Sequence, residues 1–477
     1  MAAPGAPSRA LPHAGPRPTD SVRELLALAW PILVAQVAVI GLGLIDTVMA
    51  GRLSAIDLAG VALGSSLYAT VFVGFMATLQ ALTPIAGHHY GGGRFAEIGI
   101  DVGQTLWLAA ALTAIALPPL LVNGPWLRLI GAEPAVASVA SAYLCAIAAG
   151  LPAALASRAY IALNAAVSRP AVTMVINLAA LAAKAPLNYL FIYGVGPLPA
   201  QGGAGCGMAT ALLMWLMLLA LWSLWRLDPF YRRFHPPRAP RRPLWSRQRE
   251  LLRLGLPSGG TTLIEVSSFT FITLLLARFG ATTVAGHQIV ANVVALLFML
   301  PLAYGIASSV LVAQALGAGQ PELARRAGRR GYGLSLATAL VVVAAAYLAR
   351  EPIVALFTRD GAVAAVAVGL FGYGLAFHLF DAAQGVAAFV LRGYKVALAP
   401  MLVHAVTLWA IGLAGGWWLA YRPPPFWPLP PAPSFWLAGA FGLAIAAAAL
   451  TWLAAFVARG RIAEEAQKKS RALDPAP

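Results

Sequence analysis

Charge is what this sequence lacks most. Only 10% of its 477 residues are Asp, Glu, Lys or Arg, against about 25% in soluble globular domains. Cysteine is almost absent too. Cys145 and Cys206 sit in apolar stretches with no CxxC spacing and no His/Cys cluster nearby, so they read as small packing residues rather than a disulfide or metal pair. No GxSxG, HExxH or Walker loop occurs. The sequence gives no support to an embedded enzyme or to ATP as an energy source, and it predicts a protein that is not an enzyme.

The surplus is apolar: 60% of residues are hydrophobic and the mean hydropathy is +0.77. A single water-surrounded core cannot hide that much apolar surface. The chain therefore reads as an all-α polytopic membrane protein. Twelve stretches are long enough to span, at 24–49, 55–86, 98–122, 135–163, 170–194, 203–226, 250–280, 284–316, 330–350, 362–391, 396–420 and 435–458. An even count puts both termini on one side.

Basic residues select the side. With the N-terminus in the cytoplasm, only Arg52, Arg128, Arg278, Arg350, Arg359 and Arg422 face outward, and Lys184 is left within a span. The others, including Arg158 and Arg392, are assigned to cytoplasmic loops and tails. Both termini are thus expected on the cytoplasmic side of the membrane. The net charge of +16 and the run at 232–249 do not require nucleic acid, because a basic run beside a membrane orients the chain and lies on anionic lipid. His88 and His89 read as capping a helix end, and Gly91–Gly93 as a turn.

Laying residue 31 over residue 257 aligns the two halves without a gap as far as Arg94 and Gln320. Pro31/Pro257, Ala59/Ala285, Gly60/Gly286, Phe72/Phe298, Gly91/Gly317 and Gly93/Gly319 coincide. Two six-helix units thus run in the same sense, a parallel repeat about an axis along the membrane normal. The expected organisation is a disordered cytoplasmic tail (1–23), an N-terminal lobe (24–226), a basic cytoplasmic linker (227–249), a C-terminal lobe (250–459) and a cytoplasmic tail (460–477).

Three acidic residues lie well inside spans: Asp46, Glu265 and Asp381. A lone charge at the bilayer centre costs about 2.5–3.5 kcal/mol on insertion scales, so each must pair, bind a cation or hold a proton. Lys184, in LAAKAPLN, is the one basic residue available to pair with Asp46; the alternative is snorkelling to an interface. No basic residue is assigned to the C-terminal half's spans, so Glu265 and Asp381 would share a proton or hold a metal cation. Na⁺ suits two carboxylates with added oxygens, and Na⁺-stimulated transport is the expectation.

IDTVMAG (45–51) with AIDLAGVALGSS resembles the first-span signature of the MATE (multidrug and toxic compound extrusion) family, particularly its NorM-type branch. GLPSGGTTLIEVSSF (255–269), VAGHQIVANV (284–293), FDAAQGVAAFVLRGYK (380–395), SFWLAGAFGL (434–443) and APLNYLFIYG (185–194) agree with it. The resemblance implies twelve helices in two lobes forming an outward-open V. It implies export of amphipathic organic cations and similar drugs in exchange for Na⁺ or H⁺, with no covalent cofactor, by alternating access. Asp46, Glu265 and Asp381 match the cation-coupling carboxylates, with Glu265 and Asp381 as the Na⁺ ligands. Ser65, Gln288 and Asp360 fall on drug-contacting positions, and Lys184 and Asn188 on a supporting network. Phe377 joins the substrate positions, standing where the branch can carry Tyr. A monomer is expected. A lipid-linked saccharide flippase of the same superfamily is the alternative; it would need a cationic cavity where mostly acidic central charges are expected here. A channel would need pore-ring symmetry, which the repeat does not supply.

Overall fold

A computed structural model describes residues 21–236, 240 and 242–473, and these contain helices and no strands. The tail expected at 1–23 lies almost wholly outside the described residues, as does part of the basic run. Among the described residues eleven helices are long and apolar enough to cross a membrane, or twelve when Pro134–Ala148 and Leu151–Ala166, bent by 48°, form one span. We number the twelve spans α1 (Val22–Gly51), α2 (Ala55–Leu79 and Leu82–Gly91), α3 (Phe95–Leu121), α4 (Pro134–Ala148 and Leu151–Ala166), α5 (Pro170–Tyr193) and α6 (Ala204–Leu227). The second half supplies α7 (Trp245–Leu276), α8 (Ala281–Gly317), α9 (Pro321–Leu348), α10 (Gly361–Gly393), α11 (Leu398–Tyr421, a π-helix over Ala405–Gly415) and α12 (Pro431–Leu473).

Ser54 Oγ accepts from the Asp57 N–H to start α2, and Asp360 caps α10 in the same way. Pro31, Pro186, Pro257 and Pro301 sit inside spans, where neighbouring helices can satisfy the backbone groups they free. Large apolar side chains such as Leu348, Phe441, Trp452 and Phe456 face outward, the surface a bilayer covers and water would not.

The two halves repeat each other, and they meet through equivalent residues. Gly91 ends α2 and abuts the Gln314 carbonyl; Gly317 ends α8 and abuts the His88 carbonyl. His88 and Gln314 are themselves a repeat pair, so the contact has the reciprocity of a two-fold interface. The following turns also match, with Gly93 at φ 69° and Gly319 at φ 70°, left-handed values that favour glycine. Leu25, Leu28 and Ile32 of α1 pack on Tyr304 and Leu311 of α8 and Leu323 of α9 at the same end. The lobes thus close on each other at the end that carries the linker.

The linker departs from expectation. Its first part folds onto the N-terminal lobe instead of lying free on lipid: Tyr231 and Phe234 are buried in that lobe's core with Trp225, Tyr90 and Phe95. The Arg233 guanidinium stacks 4.0 Å from the Phe230 ring. The Phe230 N–H and the Arg169 guanidinium hold the Asp228 carboxyl below its usual range. The start of α7 also belongs to this packing. Arg247 pairs with Glu97 and with Asp101, at 3.2 Å from the latter, and Leu251 and Leu254 join the N-terminal core. His88 and His89 occupy the last turn of the second α2 segment, but their rings bond elsewhere. His88 Nε2 lies 3.0 Å from the Gly393 carbonyl and His89 Nε2 lies 3.2 Å from Asp101.

Candidate cation and substrate site

In the N-terminal lobe Asp46 and Lys184 form a sealed pair. Lys184 Nζ is 2.8 Å from Asp46 Oδ1, and the lysine is 0% exposed. Asn188, one helical turn further along α5, donates to the same oxygen at 2.7 Å. The lysine also donates to Thr210 Oγ1 and to the Cys206 carbonyl on α6. The Thr210 hydroxyl in turn donates to that carbonyl at 2.8 Å. Both charges therefore have counter-ions and hydrogen bonds, which is what burial demands of them. Snorkelling does not occur, and Thr210 and Cys206 are partners that no sequence pattern marked.

The C-terminal lobe brings Glu265 (α7) and Asp381 (α10) to one cavity of about 540 Å³, together with Gln288, Phe377, Phe298 and Asn292. Phe377 packs edge-on to Phe269 and Trp436, with centroids 5.4 and 5.3 Å away, making an aromatic wall. Ser65 and Asp360 are not in its lining. The Ser65 hydroxyl donates to the Ala62 carbonyl, and the Asp360 carboxylate accepts the Ala362 and Val363 N–H groups at the start of α10.

His404 of α11, which no sequence pattern marked, lies between this lobe's carboxylates. Its Nε2 is 2.5 Å from Gln384 Oε1 and 3.4 Å from Glu265 Oε1, and its Nδ1 is 2.6 Å from the Pro400 carbonyl. Gln384 Nε2 donates to Asp381 Oδ1 at 2.8 Å. The chain Glu265–His404–Gln384–Asp381 thus crosses three helices. With Asp381 ionised and the amide donating to it, both ring nitrogens face acceptors and both need a hydrogen. With Asp381 protonated, the amide turns over, donates to Nε2, and the neutral ring suffices.

A second cavity of about 220 Å³ adjoins the first, and Met76, Thr262, Glu265, Phe298 and Leu302 line both. Arg158 and Arg392 line it as well, so neither occupies the loop to which the charge count assigned it. Arg158 lies within the second segment of α4, and Arg392 is in the last turn of α10 with its side chain turned inward. The central charges are therefore two carboxylates and two guanidiniums, not mostly acidic.

The MatE family model matches residues 31–190 and 257–418, one copy per half. A probable multidrug resistance protein NorM of Aromatoleum aromaticum is 42% identical over 90% of this chain and 93% of its own length. Multidrug resistance protein PmpM of Pseudomonas aeruginosa is 37% identical over 86% of each. Among solved structures, the eukaryotic MATE transporter AtDTX14 superposes with a TM-score of 0.82 at 20% identity, covering 93% of this chain and 98% of that one. The Vibrio cholerae MATE transporter VcmN in its bent form gives 0.80 at 17% identity, covering 93% and 97%. Two family-model matches in the register of the internal repeat, with NorM relatives along most of the length, leave one assignment: the chain belongs to the MATE family, in its NorM-type branch.

Proposed function

We propose that this protein exports amphipathic organic compounds, organic cations among them, from the bacterial cytoplasm by exchange against a monovalent cation. The observation that carries this reading is the C-terminal cavity, whose wall is apolar and aromatic while Glu265 and Asp381 supply the negative charge. Such a wall suits lipophilic cations, and the relatives' names favour an exporter over a saccharide flippase. The inward cation and the outgoing compound compete for the same carboxylates while the lobes alternate about their shared end. One charge moving inward supplies about 2.3 kcal/mol per 100 mV, a roughly fiftyfold gradient of drug.

Asp46 already has Lys184, so it takes a cation only when that pair opens; the exchanged charge is assigned to Glu265 and Asp381. Na⁺ is favoured by the hard oxygens of the two carboxylates. The proton is the second reading, favoured by His404, which links the same groups through hydrogen bonds. Ethidium efflux from energised vesicles, with Na⁺ and pH gradients imposed separately, tests both. Na⁺ stimulation that Glu265→Gln and Asp381→Asn each abolish is the expected result. Full efflux driven by a pH gradient in Na⁺-free buffer, with Na⁺ adding nothing, would make the pair a proton site. Efflux under neither gradient, with the protein correctly inserted, would refute antiport.

A further inference from the structure

We infer that Arg158 and Arg392 form an anion-binding subsite in the central chamber, one that accepts the carboxylate of an amphipathic substrate. The inference rests on the exporter reading above and extends its substrate class. One guanidinium comes from each lobe, and both line the same cavity of about 220 Å³. Among the described residues neither has a carboxylate within ion-pair distance or any hydrogen bond to protein, and Arg158 Nε is buried without a partner. The buried Arg158 Nε lacks a hydrogen bond, a cost that a bound anion would lower. The remaining guanidinium N–H groups are open to the cavity, where a carboxylate would find free donors from both lobes.

The side chains are also held for that purpose. The Arg158 guanidinium carbon lies 5.2 Å from the Phe72 ring centroid and that of Arg392 lies 4.5 Å from the Phe389 centroid. Aromatic contact fixes a guanidinium while leaving its N–H fork free, and that fork matches a carboxylate in two-point geometry. Glu265 lines both this cavity and the larger one. A molecule with an apolar body can therefore place a cationic group at Glu265 and Asp381 and a carboxylate at the arginines, each charge meeting its opposite.

Two dyes that differ by one methyl ester separate this proposal from the reading it rests on. Rhodamine 123 is an ester and a fixed cation; rhodamine 110 is the corresponding free acid. Export of each is measured in phosphatidylcholine vesicles, and binding of each by fluorescence titration of the purified protein. Arg158→Gln and Arg392→Gln should each weaken binding and export of the acid by about tenfold, the worth of a charged hydrogen bond, and leave the ester within about twofold. Arg→Lys variants should retain part of the acid's affinity, since they keep the charge and lose the fork. Equal losses for both dyes would reduce the arginines to structural supports, and an unchanged acid would mean that they are merely hydrated; either overturns the proposal. If added phosphatidylglycerol competes with the acid on the wild type and not on the variants, the site holds a lipid headgroup, and the proposal again fails. Absence of ester export by the wild type would refute the exporter reading instead, while the binding arm would still decide the subsite.

Discussion

Asp46→Asn is expected to abolish ethidium export and to cost about 3–5 kcal/mol of stability, because it strands a buried lysine charge. The volume hardly changes, so the loss is electrostatic. Lys184 is 0% exposed, with its remaining hydrogen bonds to Thr210 and the Cys206 carbonyl, both neutral acceptors. Lys184→Met strands the carboxylate in the same way. The double variant removes both charges, and replacing a buried pair by apolar or neutral groups is often close to neutral in stability. Thermal unfolding in detergent should therefore show strong non-additivity, with Asp46→Asn/Lys184→Met more stable than either single change. Simple additivity would refute the contact. Export separates the remaining roles: a double variant that is stable and inactive makes the pair part of the transport cycle. A stable variant with normal export would reduce it to packing, as would normal efflux from Asp46→Asn itself.

The fold was legible because a bilayer imposes length and apolarity on each span, and because the halves repeat without a gap. The twelve stretches read from hydropathy correspond to the twelve helical spans. What hydropathy does not carry is backbone geometry within a span. The break at Gln80 and Ala81 in α2 leaves no mark in hydropathy, although Pro84, which cannot donate to the Gln80 carbonyl, stands four residues on. The π-helix at Ala405–Gly415 is likewise unmarked by composition. Nor does charge density reveal where a linker lies. The arginines after Arg226 read as lying on anionic lipid, but Tyr231 and Phe234, spaced within the run, decide its packing.

At the site, the intramembrane acids could be found because a charge in an apolar span needs a reason. Polar neutral residues such as Gln384 and Thr210 give no such signal, and His404, outside any motif, carries no mark of its bridge toward Glu265. The arginines were misplaced for a related reason. Counting Lys and Arg by distance from a span's end treats every terminal residue as wet. Arg392 is near the end of α10, yet it turns into the chamber, and Arg158 lies deeper still within its helix.

Gly317→Ala is expected to part the lobes at their shared end and to remove export, and Gly91→Ala should do the same by symmetry. A Cβ on Gly317 would lie 2.0 Å from the His88 carbonyl oxygen, and one on Gly91 would lie 1.9 Å from that of Gln314. Carbon–oxygen contacts of about 3.3 Å or more are normal, so each substitution demands a movement of roughly 1.5 Å. The obstructing atoms are backbone within helices, which cannot swing aside as a side-chain tip would. The lobes must therefore separate, which strains the bonds from Gln314 to the Ala166 carbonyl and Ser168 and the one between His88 and Gly393. Gly43→Ala and Gly333→Ala, where a Cβ meets nothing within 4 Å, serve as controls and should export normally. A cysteine placed at Thr83, which lines the smaller cavity, reports the movement in a background carrying Cys145→Ser. An impermeant maleimide applied from the linker side should label it about tenfold faster in the glycine variants, a shift of about 1.4 kcal/mol toward the parted state. Unfolding would produce faster labelling too, so thermal stability is read alongside; Gly91→Ala/Gly317→Ala should melt no lower than either single variant, because one separation relieves both clashes. Wild-type export and unchanged labelling in Gly317→Ala would show that the lobes do not pivot on this contact.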